Sequence, residues 1–295
     1  MSAAANRGAK IILHSLERSR SQRILWLLEE LNLFYEIKPY KRGLNERAPA
    51  ELKGIHPIGK APILEIHPPQ IQQSSSGNVN GSGSGRPCIL AESAVIVEHL
   101  LEHFHRPSSS PSSYSSSTQT NQQIQKQQKR LTPTRWITGQ ENQIGGETET
   151  YRRYRYYMHY CEGSLMPLVV TNVLMDVVKS APPFFLRPLI GIVPFIVKRE
   201  YTVPNFKTHL GFLEEQLLTS STQEQHQHAY LTGPRFTAAD ILMSYPLIIL
   251  KEVGVLERGG YPALWDYVER LREMEGYKKA VRILEDVEGQ RYRPF

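Results

Sequence analysis

Three short stretches place residues suited to holding an anion or polarising a polar group. In the first, Ser19, Arg20 and Ser21 stand ahead of Ile24, Leu27, Leu28 and Leu31, which recur at helical spacing. In the second, Glu92 and Ser93 stand directly before another apolar run, AVIVEHLLEHF. Serine is a good helix N-cap, and a helix start presents unpaired N–H groups to anions. In the third, Lys60, Ala61 and Pro62 open the strand-like run ILEI. Taken one at a time, each has a plainer explanation: a simple cap for either serine, and an edge-strand proline for Pro62. Cysteine chemistry is poorly provided for. Cys88 and Cys161 are the only two cysteines and form no CxxC pair, so neither a dithiol centre nor a metal site is expected.

The elements that must carry these residues are readable from periodicity. Lys10 to Leu13 and Phe34 to Tyr40 read as strands, with an amphipathic helix over Ser19 to Asn32 between them. Ala48 to Lys53 reads as a short helix. Pro62 to Ile66 and Ile89 to Ala91 read as a hairpin, and Ser93 to Phe104 as a closing helix. Residues 10–104 therefore form an α/β domain of order β-α-β-α-β-β-α, with a low-complexity loop at 72–85. Residues 105–149, rich in Ser, Gln and Thr, read as a disordered linker or insertion that lacks the apolar surface to fold alone. Residues 150–295 read as an all-helical domain.

The chain carries 35 basic and 29 acidic residues, a net charge of +6 that favours anionic partners. The two cysteines and the absence of a secretory pattern near Met1 suit a cytoplasmic protein. Ala181 to Val197 alone comes near to a membrane segment. It is short, holds Arg187 at its middle and is broken by four prolines, so it reads as an apolar helix-and-loop segment packed in or capping a helical domain, with peripheral contact the one membrane role left to it. The run TYRRYRYYMHYCEGSLMP interleaves arginine with tyrosine, as nucleic-acid binders do. On a helix, however, Tyr154, Tyr157 or Met158, and Cys161 share one face, the ordinary pattern of an inner apolar stripe, so no nucleic-acid role is expected. Thr237 to Asp240 has the form of a capping box before the apolar run Ile241 to Leu250, a structural device.

Five segments, in order, resemble the glutathione transferase family, with fungal and bacterial members of similar pattern. LHSLERSRSQRILWLLEELNLFYEIKPYKR, ELKGIHPIGKAPILEI and ILAESAVIVEHLLEHF are similar to its N-terminal domain; YMHYCEGSLMP and LTGPRFTAADILMSYPL are similar to its C-terminal domain. The resemblance implies a thioredoxin-like N-terminal domain followed by an all-α C-terminal domain. It implies a cis bond at Ala61–Pro62, with the Ala61 backbone holding the cysteinyl part of glutathione. It implies that Glu92 and Ser93 grip the γ-glutamyl end and that Lys60 meets the glycyl carboxylate.

Members that use serine place it four residues before an arginine, a spacing that Ser19 and Arg23 share. Ser19 is then the catalytic hydroxyl that steadies the glutathione thiolate, with Ser21 a local rival and Arg20 and Tyr40 weaker ones; His14 is read as structural. Tyr157, Tyr160, Cys161 and Met166 are implied as lining for a hydrophobic electrophile. Glutathione enters as co-substrate, no other cofactor or metal is implied, and homodimers are the family's usual form. The implied activity is conjugation, with glutathione peroxidase activity beside it. The alternative is a regulatory protein that keeps the fold without the activity.

Overall fold

The computed structural model describes residues 5–43, 46–69, 86–104, 131–180, 182–220 and 230–295. The predicted 72–85 loop and residues 105–130 of the predicted linker lie outside them. The chain divides into two compact units, residues 1–131 with 278–293, and residues 132–277 with 294–295.

In the first unit, β1 (Lys10–Leu16), β2 (Glu36–Tyr40), β3 (Ile63–His67) and β4 (Cys88–Ala91) form one mixed sheet in the order β2-β1-β3-β4. β1 and β2 run parallel, joined by α1 (Ser21–Glu30), while β3 lies antiparallel to both β1 and β4. A 3-10 turn occupies Ala50–Gly54, and α2 (Ser93–Phe104) closes the series. The thioredoxin-like order is thus present, with the second helix reduced to that turn. Residues alternating along the strands line two faces. On one, Ile11, Leu13, Leu64 and Ile66 are buried, as are Ile24, Leu25, Trp26, Leu27 and Leu28 of α1.

The first helix is shorter at both ends than its apolar pattern suggests. It starts at Ser21 because Arg18 takes a left-handed conformation (φ +49°), which turns the chain before the helix begins. It stops because Asn32 is also left-handed (φ +53°). Asn32 N–H then bonds Glu29 C=O, and Leu33 N–H bonds Leu28 C=O, both at 3.0 Å, closing a Schellman motif.

The second unit is helical. α3 (Glu149–Tyr160), a π-helical turn at Cys161–Leu165 and α4 (Met166–Ser180) follow one another, then α5 (Arg187–Ile190), α6 (Ile192–Val197), a second π turn at Lys198–Thr202 and α7 (Val203–Ser220). α8 (Ala238–Glu252), α9 (Pro262–Glu273) and α10 (Glu275–Glu288) complete the series. α8 is the centre of this unit, buried from Ala238 through Leu250. The Thr237 to Asp240 capping box is formed at its start. The tail behaves differently from the reading of 150–295 as one domain: Lys278–Arg293 belong with the first unit.

The predicted disordered stretch is also too long. Residues 131–149 are structured, with Leu131 buried and a bridge pairing Trp136 with Glu147. Arg135 Nε bonds Glu147 at 2.8 Å, and its guanidinium lies over the Trp136 and Tyr151 rings. The Ser/Gln bias ends before Leu131, and with Trp136 and Ile137 the sequence again has apolar side chains to pack.

Candidate functional site

The strand register gathers the three sequence-derived stretches at one end of the sheet. Ile63 is opposite His14 of β1 and opposite Ala91 of β4. Pro62 precedes Ile63 and Glu92 follows Ala91, while β1 leaves the sheet at Leu16, three residues before Ser19. The peptide bond Ala61–Pro62 is cis. Gly59, just upstream, is buried with φ +62°, and a Cβ added there would fall 2.6 Å from Lys53 Cγ, so this turn is shaped for glycine.

Ser19 lies outside the helix, two residues ahead of it, and is 8% exposed. Its Oγ accepts from the Ser21 N–H at 3.3 Å and lies 2.6 Å from the Leu16 carbonyl, to which it donates. The two serine hydroxyls are 2.9 Å apart. Ser21 is 1% exposed, so of the two rivals Ser19 is nearer the surface. An incoming anion at Ser19 has to win the hydroxyl proton from the Leu16 carbonyl.

One helical turn on, Arg23 is completely buried, and its Nη2 donates to Ser93 Oγ at 2.9 Å. This bond ties the start of α1 to the start of α2 across 70 positions of sequence. Ser93 proves to be the first residue of α2 rather than its cap. Glu92 holds the capping place, since Ile96 N–H bonds its carbonyl at 3.0 Å. Glu92 is exposed and has φ +69°, a conformation that non-glycine residues adopt mainly where surrounding structure enforces it. Lys60 is exposed and Pro62 buried.

The chain just before Ser19 is held by residues that no motif announces. Arg42 N–H donates to Glu17 Oε1 at 2.6 Å. The Arg42 guanidinium donates to the Arg18 carbonyl at 3.0 Å and to the Glu46 carbonyl at 2.8 Å. Arg18 bonds Glu46 in turn at 2.5 Å. Together these clamp the left-handed Arg18 and so fix where Ser19 begins. Only the basic run KPYKR in the sequence hinted at them.

Tyr40 is engaged elsewhere. Its hydroxyl is 2.9 Å from His14 Nδ1, and His14 Nε2 is 2.9 Å from Glu65 Oε2. His67 Nε2 meets the other Glu65 oxygen at 2.8 Å. In the tautomer that carries its proton on Nε2, His14 donates to the Glu65 carboxylate and accepts the Tyr40 proton at Nδ1. Burial, then the Glu65 charge, pushes the Tyr40 hydroxyl up, which keeps that proton in place. His14 is buried, at 1% exposure, with both ring nitrogens within bonding distance of a side chain.

Burial alone would raise Glu65, but hydrogen bonds from His14 and His67 outweigh it and hold the carboxyl below its usual range. A carboxyl depressed in the folded state stabilises above its unfolded pKa, about 4.3, and loses that contribution as pH falls through the folded value. Glu65→Gln is therefore expected to unfold more readily than the native chain at neutral pH. The deficit should shrink on acidification below about pH 4, read as urea midpoints across a pH series; a pH-independent deficit would contradict it.

In the second unit the implied electrophile residues lie inside. Tyr157, Cys161 and Met166 are at most 2% exposed and Tyr160 is 7% exposed. Cys161 Sγ bonds the Leu242 carbonyl at 3.2 Å, and Tyr160 meets His209 Nδ1 at 2.5 Å. They pack as the inner face the spacing indicates. Tyr156, stacked on Tyr160, is the neighbouring aromatic that reaches the surface, at 48% exposure. Among the described residues no His, Cys, Asp and Glu group could hold a metal ion.

Comparison with known proteins supplies a family. Residues 19–103 match the glutathione S-transferase N-terminal domain and residues 201–270 its C-terminal domain. Glutathione S-transferase 1 of Saccharomyces cerevisiae is 31% identical over 268 residues, covering 90% of this chain and 92% of that protein. A glutathione S-transferase from Actinobacillus pleuropneumoniae superposes with a TM-score of 0.56 at 25% identity, covering 95% of this chain and 94% of that one. A glutathione transferase homologue from Lodderomyces elongisporus, solved with two GSH per subunit, shares the fold with a TM-score of 0.57 at 16% identity, covering 93% and 98%.

Proposed function

Since the chain belongs to the glutathione S-transferase family, we propose that it joins the glutathione thiolate to hydrophobic electrophiles, with glutathione peroxidase activity towards organic hydroperoxides as a second use. The observation that supports this reading is the buried Arg23–Ser93 bond, which joins the first turn of α1, just after Ser19, to the Glu92–Ser93 start of α2.

In this reading glutathione lies along that end of the sheet. The Ala61 backbone pairs with its cysteinyl unit. Ser93, at a helix start where N–H groups favour anions, takes the γ-glutamyl carboxylate, and the exposed Glu92 takes the ammonium group. Lys60 faces the glycyl carboxylate. Ser19 turns its hydroxyl from the Leu16 carbonyl to the sulfur. Donation to the charged form lowers the thiol pKa from about 8.5 by roughly two units, so the nucleophile is mostly ionised at neutral pH. The sulfur forms its new bond to a carbon of the electrophile as the leaving group departs or the acceptor double bond takes a proton. Homodimers are proposed as the working form, which light scattering reads directly.

Retention on immobilised glutathione together with turnover of a broad electrophile panel tests the activity. Retention without any conjugation or hydroperoxide reduction would leave only a glutathione-binding regulator. The Arg42 clamp adds a positioning residue to the scheme. Arg42→Gln removes the guanidinium bonds to the Arg18 and Glu46 carbonyls. It is expected to cost about tenfold in kcat with KM for glutathione within about twofold, because misplacement of one activating group degrades geometry more than binding. An equal rise in KM with kcat intact would assign Arg42 to binding instead.

A further inference from the structure

The helical unit exposes apolar surface on a scale that its own core does not require. Phe184 is 81% exposed, Phe185 66%, Leu189 69%, and Val193 and Phe195 62% each; Ile196 is 50% exposed. They lie on and before α5 and α6, helices of four and six residues that follow one another closely. Soluble proteins seldom expose so continuous an apolar patch unless something covers it.

Charge identifies the cover. Between Lys179 and Arg199 the sequence holds four basic residues, Lys179, Arg187, Lys198 and Arg199, and no acidic one. Lys198 faces Asp176 at 2.5 Å and Arg199 faces Glu200 at 3.1 Å. Lys179 and Arg187 have no acidic partner among the described residues. Both line a cleft with Val173, Val177, Val253 and Phe295, and with Asp176, whose carboxylate is the partner of Lys198. A second copy is a poor occupant, because a two-fold contact would bring this basic patch against itself. A bilayer with anionic headgroups satisfies both features, since apolar side chains enter the acyl boundary and cations meet phosphates and carboxylates.

We propose that the surface from Phe184 to Ile196, with Lys179 and Arg187, docks this protein peripherally on anionic phospholipid membranes. It does not cross them: its helices are too short, and Arg187 sits at its middle. The one described helical run long and apolar enough to span is Glu149–Ser180, which precedes the patch rather than forming it, and a third of its most apolar window is buried within the protein.

Co-sedimentation of the full chain with vesicles tests this, using phosphatidylcholine alone and phosphatidylcholine mixed with phosphatidylserine. The native protein should pellet with the mixed vesicles and much less with the zwitterionic ones. Lys179→Gln with Arg187→Gln should weaken binding to mixed vesicles by roughly fivefold per charge, roughly 25-fold together. Phe184→Ser with Phe185→Ser should weaken it by roughly a hundredfold. Because these side chains are exposed, glutathione-dependent turnover and the thermal midpoint should stay at native values, which separates lost docking from lost fold and from the transferase reading. Native protein that stays in the supernatant with both vesicles would overturn the proposal, as would binding that survives both double variants. A change in oligomeric size in the phenylalanine variant would give this face to a second copy instead.

Discussion

Ser19→Ala is expected to lose between about threefold and about 25-fold in kcat/KM at neutral pH while binding glutathione nearly as well as the native enzyme. The size follows from the thiol. If Ser19 holds the bound thiol about two units below its ordinary value of about 8.5, its loss cuts the thiolate fraction at pH 7 by roughly 25-fold. A more basic thiolate is the better nucleophile and returns part of that loss, up to about tenfold for a Brønsted slope near 0.5. The rate at one pH is thus a blunt reading. The sharper one is the acid limb of the kcat/KM profile, which should move up by about two units in Ser19→Ala. Ser21→Ala should leave that limb in place, because the Ser21 hydroxyl lies inside the helix start and reaches Ser19 rather than the surface. A limb that moves in Ser21→Ala and not in Ser19→Ala would exchange their roles.

The largest stability effect is expected at Asp240. This carboxylate is wholly buried at the start of α8 and receives four donors: Thr237 N–H at 2.8 Å, Thr237 O–H at 2.9 Å, Leu231 N–H at 3.3 Å and Tyr267 O–H at 2.7 Å. Burial raises its pKa to about 6, against the lowering pull of the Tyr267 and Thr237 hydrogen bonds. Burial also raises the Tyr267 hydroxyl well above its ordinary value, so Tyr267 stays protonated as a donor.

Asp240→Ala strands these donors in a dry core and should cost about 3–5 kcal/mol at neutral pH. The direction with pH is opposite to that at Glu65. A carboxyl raised in the folded state binds its proton more tightly than the unfolded chain does. It therefore makes the native protein more stable as pH falls through about 6 towards about 4. The gap between native protein and Asp240→Ala should widen over that window, measured as urea unfolding free energy. A gap that narrows there would mean that the buried group is held as a firmly ionised carboxylate.

The elements differ in how plainly the sequence announces them. α2 was legible to the residue, because Ser93 to Phe104 combines a polar start with an unbroken apolar period. The strands were legible within a few residues, since their β-branched runs have few other uses. The Thr237–Asp240 box was legible because both of its partners lie within one turn.

Other features depend on contacts that spacing does not record. The start of α1 moved past Ser19 because Arg18 adopts positive φ, a choice enforced by Arg42 and Glu46 more than twenty positions away. Arg23 read only as a spacing marker, although its bond to Ser93 is what joins the two helix starts. The tyrosines and Cys161 of α3 and its π turn were placed on the correct face, but a face pointing inward is a core before it is a pocket. Tyr156, one position from Tyr157, is the exposed member. The tail fell with the first unit because Lys279 pairs with Glu29 at 2.5 Å and Gln290 bonds Glu17 at 3.3 Å, contacts set by tertiary position alone.

The ionisation of glutathione bound to the native protein is the most direct test of the thiolate mechanism. Thiolate absorbance of the complex, followed as a function of pH against glutathione alone, reads it without any electrophile. The bound thiol should titrate roughly two units below the free value of about 8.5, and the Ser19→Ala complex should return towards it. A bound thiol that titrates with the free peptide would contradict the account, because the site would then hold glutathione without activating it.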